Sequence, residues 1–226
     1  MRSEEGVKQF ESPYKKLAYT KEFQKFFDAH PNAFRLFHGI EATLDQQDIL
    51  EVSKTKNFII NGIPVEVIRA FEYQGQKHYF LKVTLDGQSF FVKSEGTTWR
   101  GKGFDEFNNT EKARKSLADI PWVKVVDALF GYQDDEGATY FVSKWLPFPL
   151  LQDYLRNIPR TPEGQEEERR LLEKVNQLRA KLPGFEQVMP HNMLYNSDPK
   201  EEKIYLFDLQ TSQELPPFLE NGADTF

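Results

Sequence analysis

Pro190-His191-Asn192-Met193-Leu194-Tyr195, followed by a polar turn and then Ile204-Tyr205-Leu206-Phe207-Asp208, is the stretch that decides the fold. The two apolar runs, joined by Asn196-Ser197-Asp198-Pro199-Lys200-Glu201-Glu202, read as a β-hairpin. Asn192 opens one strand and Asp208 closes the other, so both polar side chains belong at the same end of the hairpin. An amide oxygen and a carboxylate placed together suit Mg²⁺ on nucleotide phosphates. This hard cation takes oxygen ligands and commonly uses one or two carboxylates beside phosphate. The hairpin therefore points to phosphoryl transfer.

Composition narrows the alternatives. A chain of 226 residues is long enough for one bilobal domain or two small ones. Without cysteine, thiol catalysis and thiolate metal sites are excluded, and a cytoplasmic location is the expectation. Met1-Arg2-Ser3-Glu4-Glu5-Gly6 lacks the apolar core of a signal peptide, and no run is apolar enough for a membrane span. With 35 acidic and 29 basic side chains the formal charge is −6, which offers no basic footprint for duplex nucleic acid. His30, His38, His78 and His191 have no HExxH spacing, and no Gly-x-Ser-x-Gly elbow occurs, so neither zinc nor serine hydrolysis is expected.

Upstream of the hairpin the periodicity changes several times. Residues 1 to 50 read as a helical extension, with Phe23, Phe26 and Phe27 on one face and a capping box at Thr43 and Gln46. A β-rich part follows over 51–146. Its strands are expected at Val65 to Tyr73, His78 to Leu85 and Ser89 to Lys93, with Asp86-Gly87 as a hairpin turn. Asn109 or Thr110 then caps a helix through Ala113 and Leu117, and two strands follow at Val123 to Tyr132 and Thr139 to Trp145. Residues 147–226 form a short, mainly helical part containing the hairpin. In it, Thr161-Pro162-Glu163 starts a long helix whose stripe is Leu171, Leu172, Val175, Leu178 and Leu182, and Pro183-Gly184 stops it. Its charged run, Glu166 to Arg170, reads as a solvated face.

Three strands, a helix, two strands, a proline-marked crossing, two helices and a hairpin ending in Asp: this order resembles the protein-kinase-like fold, including its aminoglycoside and choline phosphotransferase branch. The likeness spans roughly residues 58 to 212. It implies an α+β, bilobal architecture with an antiparallel β-sheet N-lobe and a short, mainly helical C-lobe. Phe90-Phe91-Val92-Lys93 looks like the Val-Ala-Ile-Lys strand end, which makes Lys93 the contact to ATP phosphates. The resemblance assigns the carboxylate that holds this lysine to Glu111, with Glu106 as competitor. Gly75 is the single glycine in the turn where the family has its glycine-rich loop. Thr139 to Pro147 is similar to the fifth strand and hinge.

Val188-Met189-Pro190-His191-Asn192 resembles the end of the kinase catalytic loop, which makes Asn192, with Asp208, a ligand of Mg²⁺. Gln187 stands at the position of the catalytic Asp, and an amide cannot accept a proton at neutral pH. Its neighbour Glu186 either substitutes as base, if the loop slips by one residue, or is a plain loop carboxylate. Asp208-Leu209-Gln210 keeps the metal Asp of Asp-Phe-Gly and loses the rest. The loop Gly96 to Gly103, with Trp99, Arg100 and Lys102, is either a lid or linker, a phosphate cover, or a nucleic-acid contact.

Three function classes follow. One is a divergent kinase-like phosphotransferase using ATP and Mg²⁺ on an unknown phosphate acceptor. The second is a pseudokinase or interaction module that contacts a protein partner without catalysis. The third is a structural domain in which the same charged residues form an ion network.

Overall fold

The computed structural model describes residues 8–9, 16–29, 33–47, 49, 55–73, 75–95, 102–133, 139–185 and 188–209. The chain is α+β and divides into two units, residues 1–108 with 127–145 and residues 109–126 with 146–226.

The first unit is built on an eight-stranded antiparallel sheet. Its strands are β1 (Lys8–Gln9), β2 (Lys16–Tyr19), β3 (Lys56–Ile60), β4 (Ile63–Tyr73), β5 (Gln76–Leu85), β6 (Gln88–Glu95), β8 (Ala128–Gln133) and β9 (Thr139–Lys144). Their order across the sheet is β1-β2-β8-β9-β6-β5-β4-β3. In β5 the side chains alternate: Tyr79, Leu81, Val83 and Leu85 are buried in the core, while Phe80, Lys82 and Thr84 are half-buried on the other face. The core face is covered by α1 (Lys21–Ala29) and α2 (Ala33–Gln46), which bring Phe23, Phe37, Ile40 and Leu44. Each such side chain is worth roughly 1.5–3 kcal/mol of apolar burial.

Four features depart from the sequence reading. The N-terminal fifty residues are not only helical, since β2 pairs antiparallel with β8. Thr43 lies inside α2 and donates its hydroxyl to the Gly39 carbonyl at 2.7 Å, so it caps nothing. The meander has a fourth strand, β3, joined to β4 by Asn61-Gly62 with φ of 52° and 80°, which suits a type I′ turn. The run Val123 to Tyr132 is two strands in two sheets, β7 (Val123–Val125) and β8. Strand propensity marks both pieces as extended but carries no information about which sheet receives each.

The second unit holds α4 (Leu151–Asn157), α5 (Pro162–Lys181) and a three-stranded sheet, β10 (Met193–Asn196), β11 (Lys203–Leu206) and β7, in the order β10-β11-β7. β11 pairs antiparallel with β10 and parallel with β7. Thr161 caps α5 by accepting from the Gly164 amide at 3.2 Å, with Pro162 in the first turn. Leu171, Val175, Leu178 and Leu182 pack with Met193, Tyr195, Ile204 and Leu206, whereas Leu172 is exposed. Among the described residues no helix is long and apolar enough to cross a membrane.

Candidate functional site

Lys93 sits near the end of β6, where it pairs in register with Phe80 of β5 and Phe141 of β9. Its ammonium meets the Glu106 carboxylate at 3.0 Å, and the two side chains are only 4% and 1% exposed. Such a pair tolerates burial because each charge meets an opposite one; removing one partner leaves the other ion in low dielectric without it. Glu106 belongs to α3 (Lys102–Ser116), and two glycines set the position of that helix. A Cβ on Gly103 would lie 2.4 Å from the Tyr140 carbonyl oxygen, and one on Gly131 would lie 2.3 Å from the Gly103 oxygen. The first turn of α3 therefore packs backbone-on-backbone against β8 and β9. One turn later the same helix delivers Glu106 to Lys93, whose strand neighbour Phe141 adjoins Tyr140.

The expectation that Glu111 holds Lys93 thus gives way to Glu106. The helix starts at Lys102 and not at Asn109 or Thr110, which are buried within it. Glu111 accepts from the Arg114 guanidinium at 2.5 Å, and Arg114 also donates to the Val126 carbonyl at 2.7 Å. The other face of the Lys93 strand is tied to α2. The Ser94 hydroxyl donates to Glu41 at 2.8 Å, and Tyr140 also donates to that carboxylate. Burial pushes the Glu41 carboxyl above its ordinary range, a shift opposed by these two hydrogen bonds.

Gly75 lies in the β4–β5 turn with φ of 76°, a conformation that favours glycine. A Cβ there would meet nothing within 4 Å, so the turn conformation accounts for this glycine, not a close approach within the chain.

In the second unit a single 3₁₀ turn, Pro190–Asn192, leads into β10. Met193 pairs with Leu206, and the Phe207 amide donates to the Asn192 carbonyl at 3.1 Å. That ladder brings Asn192 and Asp208 to the same end of the hairpin. Asn192 is buried, and Asp208 is half-buried with φ of 53°. Left-handed backbone is uncommon outside glycine, although Asp tolerates it better than most residues. Such conformations concentrate at ligand and active sites. An amide oxygen and a carboxylate are the donor types that a hard cation takes, so this pair fits Mg²⁺. An ammonium has three donors, so the pairing of Lys93 with Glu106 is compatible with a phosphate contact.

The far end of the hairpin is clamped to α5. Glu202 accepts from Arg170 at 2.8 Å, from Lys174 at 3.0 Å and from the Tyr195 hydroxyl at 2.8 Å. Hydrogen bonding from Arg170, then from Lys174 and Tyr195, brings the Glu202 carboxyl down to about 2 against the cost of burial. Burial, with Glu202 next in effect, pushes the Tyr195 phenol up. The charged run on α5 is therefore not solely a solvated face, because Arg170 holds the hairpin in place.

Glu186 and Gln187 lie outside the described residues, as does the loop from Gly96 to Gly101. The signal that finds Glu106 is Gly103 three residues before it, a small residue one helical turn from a carboxylate. It has meaning only beside Gly131, far away in sequence.

No family model matches this chain, and neither does any curated protein. Among solved structures it is similar to the kinase PK-1 of the Cydia pomonella granulovirus, with 15% identity and a TM-score of 0.37. The match covers 64% of this chain and 50% of that one, so this chain spans half the length of that kinase.

Proposed function

We propose that this chain binds a magnesium nucleoside triphosphate, ATP above all, in a kinase-like frame. The observation that carries the reading is the buried Lys93–Glu106 pair, a cation fixed on a sheet face by a carboxylate of the following helix. A buried ion pair is a poor way to gain stability, which favours a role for the lysine in function. In this reading Lys93 contacts the phosphates, Glu106 orients it, and the Gly75 turn offers main-chain groups. In the second unit Asn192 and Asp208 would supply an amide oxygen and a carboxylate to Mg²⁺, which when bound supplies neutralising charge.

A second reading is binding without transfer, and Gln187, five residues before Asn192, favours it. General-base assistance is worth roughly 10²–10⁴-fold, so transfer to any acceptor, protein or small molecule, should be slow unless Glu186 substitutes. A chain without cysteine that binds a magnesium nucleotide suits the cytoplasm.

Calorimetric titration with ATP, with and without Mg²⁺, tests the first reading. Saturable binding that tightens with Mg²⁺ supports it, and no binding at millimolar ATP overturns it. Turnover that rises in Gln187→Asp would identify a transferase with a weakened base. ATP bound without turnover in wild type, Gln187→Asp and Glu186→Gln would establish the second reading.

A further inference from the structure

We propose that Arg69 is a second oligophosphate-binding cation beside Lys93, an inference that rests on the nucleotide reading above. The ladder aligns Arg69 of β4 with Phe80 of β5, and Phe80 with Lys93 of β6, so one row across three strands reads cation, aromatic, cation. The Arg69 guanidinium lies 4.8 Å from the centroid of Phe71 and 5.9 Å from that of Phe80. The Lys93 ammonium lies 5.8 Å from the same Phe80 ring. One ring thus separates the two charges.

A β-bulge puts Arg69 on that face. Val65 and Val67 point into the core, and strict alternation would send residue 69 there as well. The register shifts between Val67 and Arg69, after which Ala70 is the buried residue and Arg69 is exposed on the Lys93 face. Bulges re-aim side chains, and here the side chain is a planar cation matched to phosphate oxygens. Other cations of these strands have carboxylate partners, Lys82 with Glu66 at 3.2 Å and Lys93 with Glu106 at 3.0 Å. Among the described residues no carboxylate pairs with Arg69. The β4–β5 turn holds one glycine, Gly75, so it offers little flexible main chain to wrap phosphates. A guanidinium one strand from β5 would take over part of that task.

The test is titration of the full chain with Mg·ATP, with inorganic triphosphate and with adenosine, in wild type, Arg69→Gln and Arg69→Lys. A lost charge-assisted contact weakens binding about ten- to a hundredfold. Arg69→Gln should show that loss for ATP and for triphosphate and none for adenosine, with Arg69→Lys intermediate and the unfolding midpoints of all three proteins alike. If wild type binds ATP and Arg69→Gln binds it within twofold, the role of Arg69 is refuted while the nucleotide reading stands. If triphosphate binding depends on Arg69 and ATP does not bind, the anion site stands and the nucleotide reading falls. If wild type binds neither, both fall. An equal loss for adenosine would make Arg69 a structural support for its neighbouring rings and overturn the proposal.

Discussion

Lys93 is almost wholly buried against a carboxylate 3.0 Å away, whereas Asp208 is half-buried just beyond the end of a strand with its backbone at a φ of 53°. The first arrangement is fixed when the protein folds. Its charges are desolvated, compensated by each other and pinned by helix-to-sheet contacts at Gly103 and Gly131. The second carries an unfavourable backbone conformation and donor atoms of the kind a cation prefers. A substitution at the Lys93–Glu106 pair should therefore be read in stability as well as in ligand affinity, and one at Asp208 in how ligand affinity depends on Mg²⁺.

The largest effect is expected from Glu106→Ala, which takes the carboxylate partner away from a buried ammonium and should cost about 3–5 kcal/mol in chemical denaturation. The double variant Lys93→Met/Glu106→Leu, which removes both charges and keeps the volume, should recover most of that loss. If Glu106→Ala unfolds like the wild type, the pair is not the fixed element described above.

Gly131→Ala comes next. Its Cβ would approach the Gly103 oxygen at 2.3 Å and the Phe107 Cβ at 2.7 Å, so α3 must shift and carry Glu106 with it. An overpacking cost of about 1–3 kcal/mol is expected. ATP affinity should fall as well, whereas Gly62→Ala, which meets open space but a strained φ of 80°, should leave the Lys93–Glu106 pair intact. Equal losses of ATP affinity in the two variants would dissolve the link between helix position and lysine position.

A smaller, pH-dependent effect is expected at the clamp on the hairpin. The Glu202 carboxyl is held at about 2, below its ordinary 4.5, so its contribution is fully present above pH 4.5 and is lost as pH falls toward 2. Glu202→Gln should be less stable than the wild type at neutral pH and should lose less stability on acidification across that window. Parallel pH curves for the two proteins would mean that Arg170 and Lys174 do not stabilise the ionised carboxylate.

What could be read in the sequence follows the same division between local and non-local causes. Thr161-Pro162 and the stripe Leu171, Val175, Leu178 and Leu182 fold as read, because capping and helical period are local. The Asn192–Asp208 hairpin also formed with its ends as expected, since a polar turn between two short apolar runs fixes the register. The start of α3 was not legible, because the contact that sets it joins Gly103 to Tyr140 and Gly131 across the fold. For the same reason the choice between Glu106 and Glu111 could not be made from spacing. The split of residues 123–132 between two sheets depends on pairing partners, β11 for one half and β9 with β2 for the other. Asn61-Gly62, by contrast, is a hairpin signal present in the sequence itself, and the structure uses it for a strand that apolar runs alone do not reveal.

The most direct test of the magnesium-nucleotide account is the gain in ATP affinity that Mg²⁺ produces, compared between wild type, Asp208→Asn and Lys93→Met. Asp208→Asn keeps the shape and loses the carboxylate charge, so it isolates the charge as the quantity under test, with the unfolding midpoint measured beside the affinity. The account predicts that Asp208→Asn loses most of the Mg²⁺-dependent gain while retaining metal-free affinity, and that Lys93→Met weakens ATP in both conditions. A gain from Mg²⁺ in Asp208→Asn equal to that of wild type would contradict it.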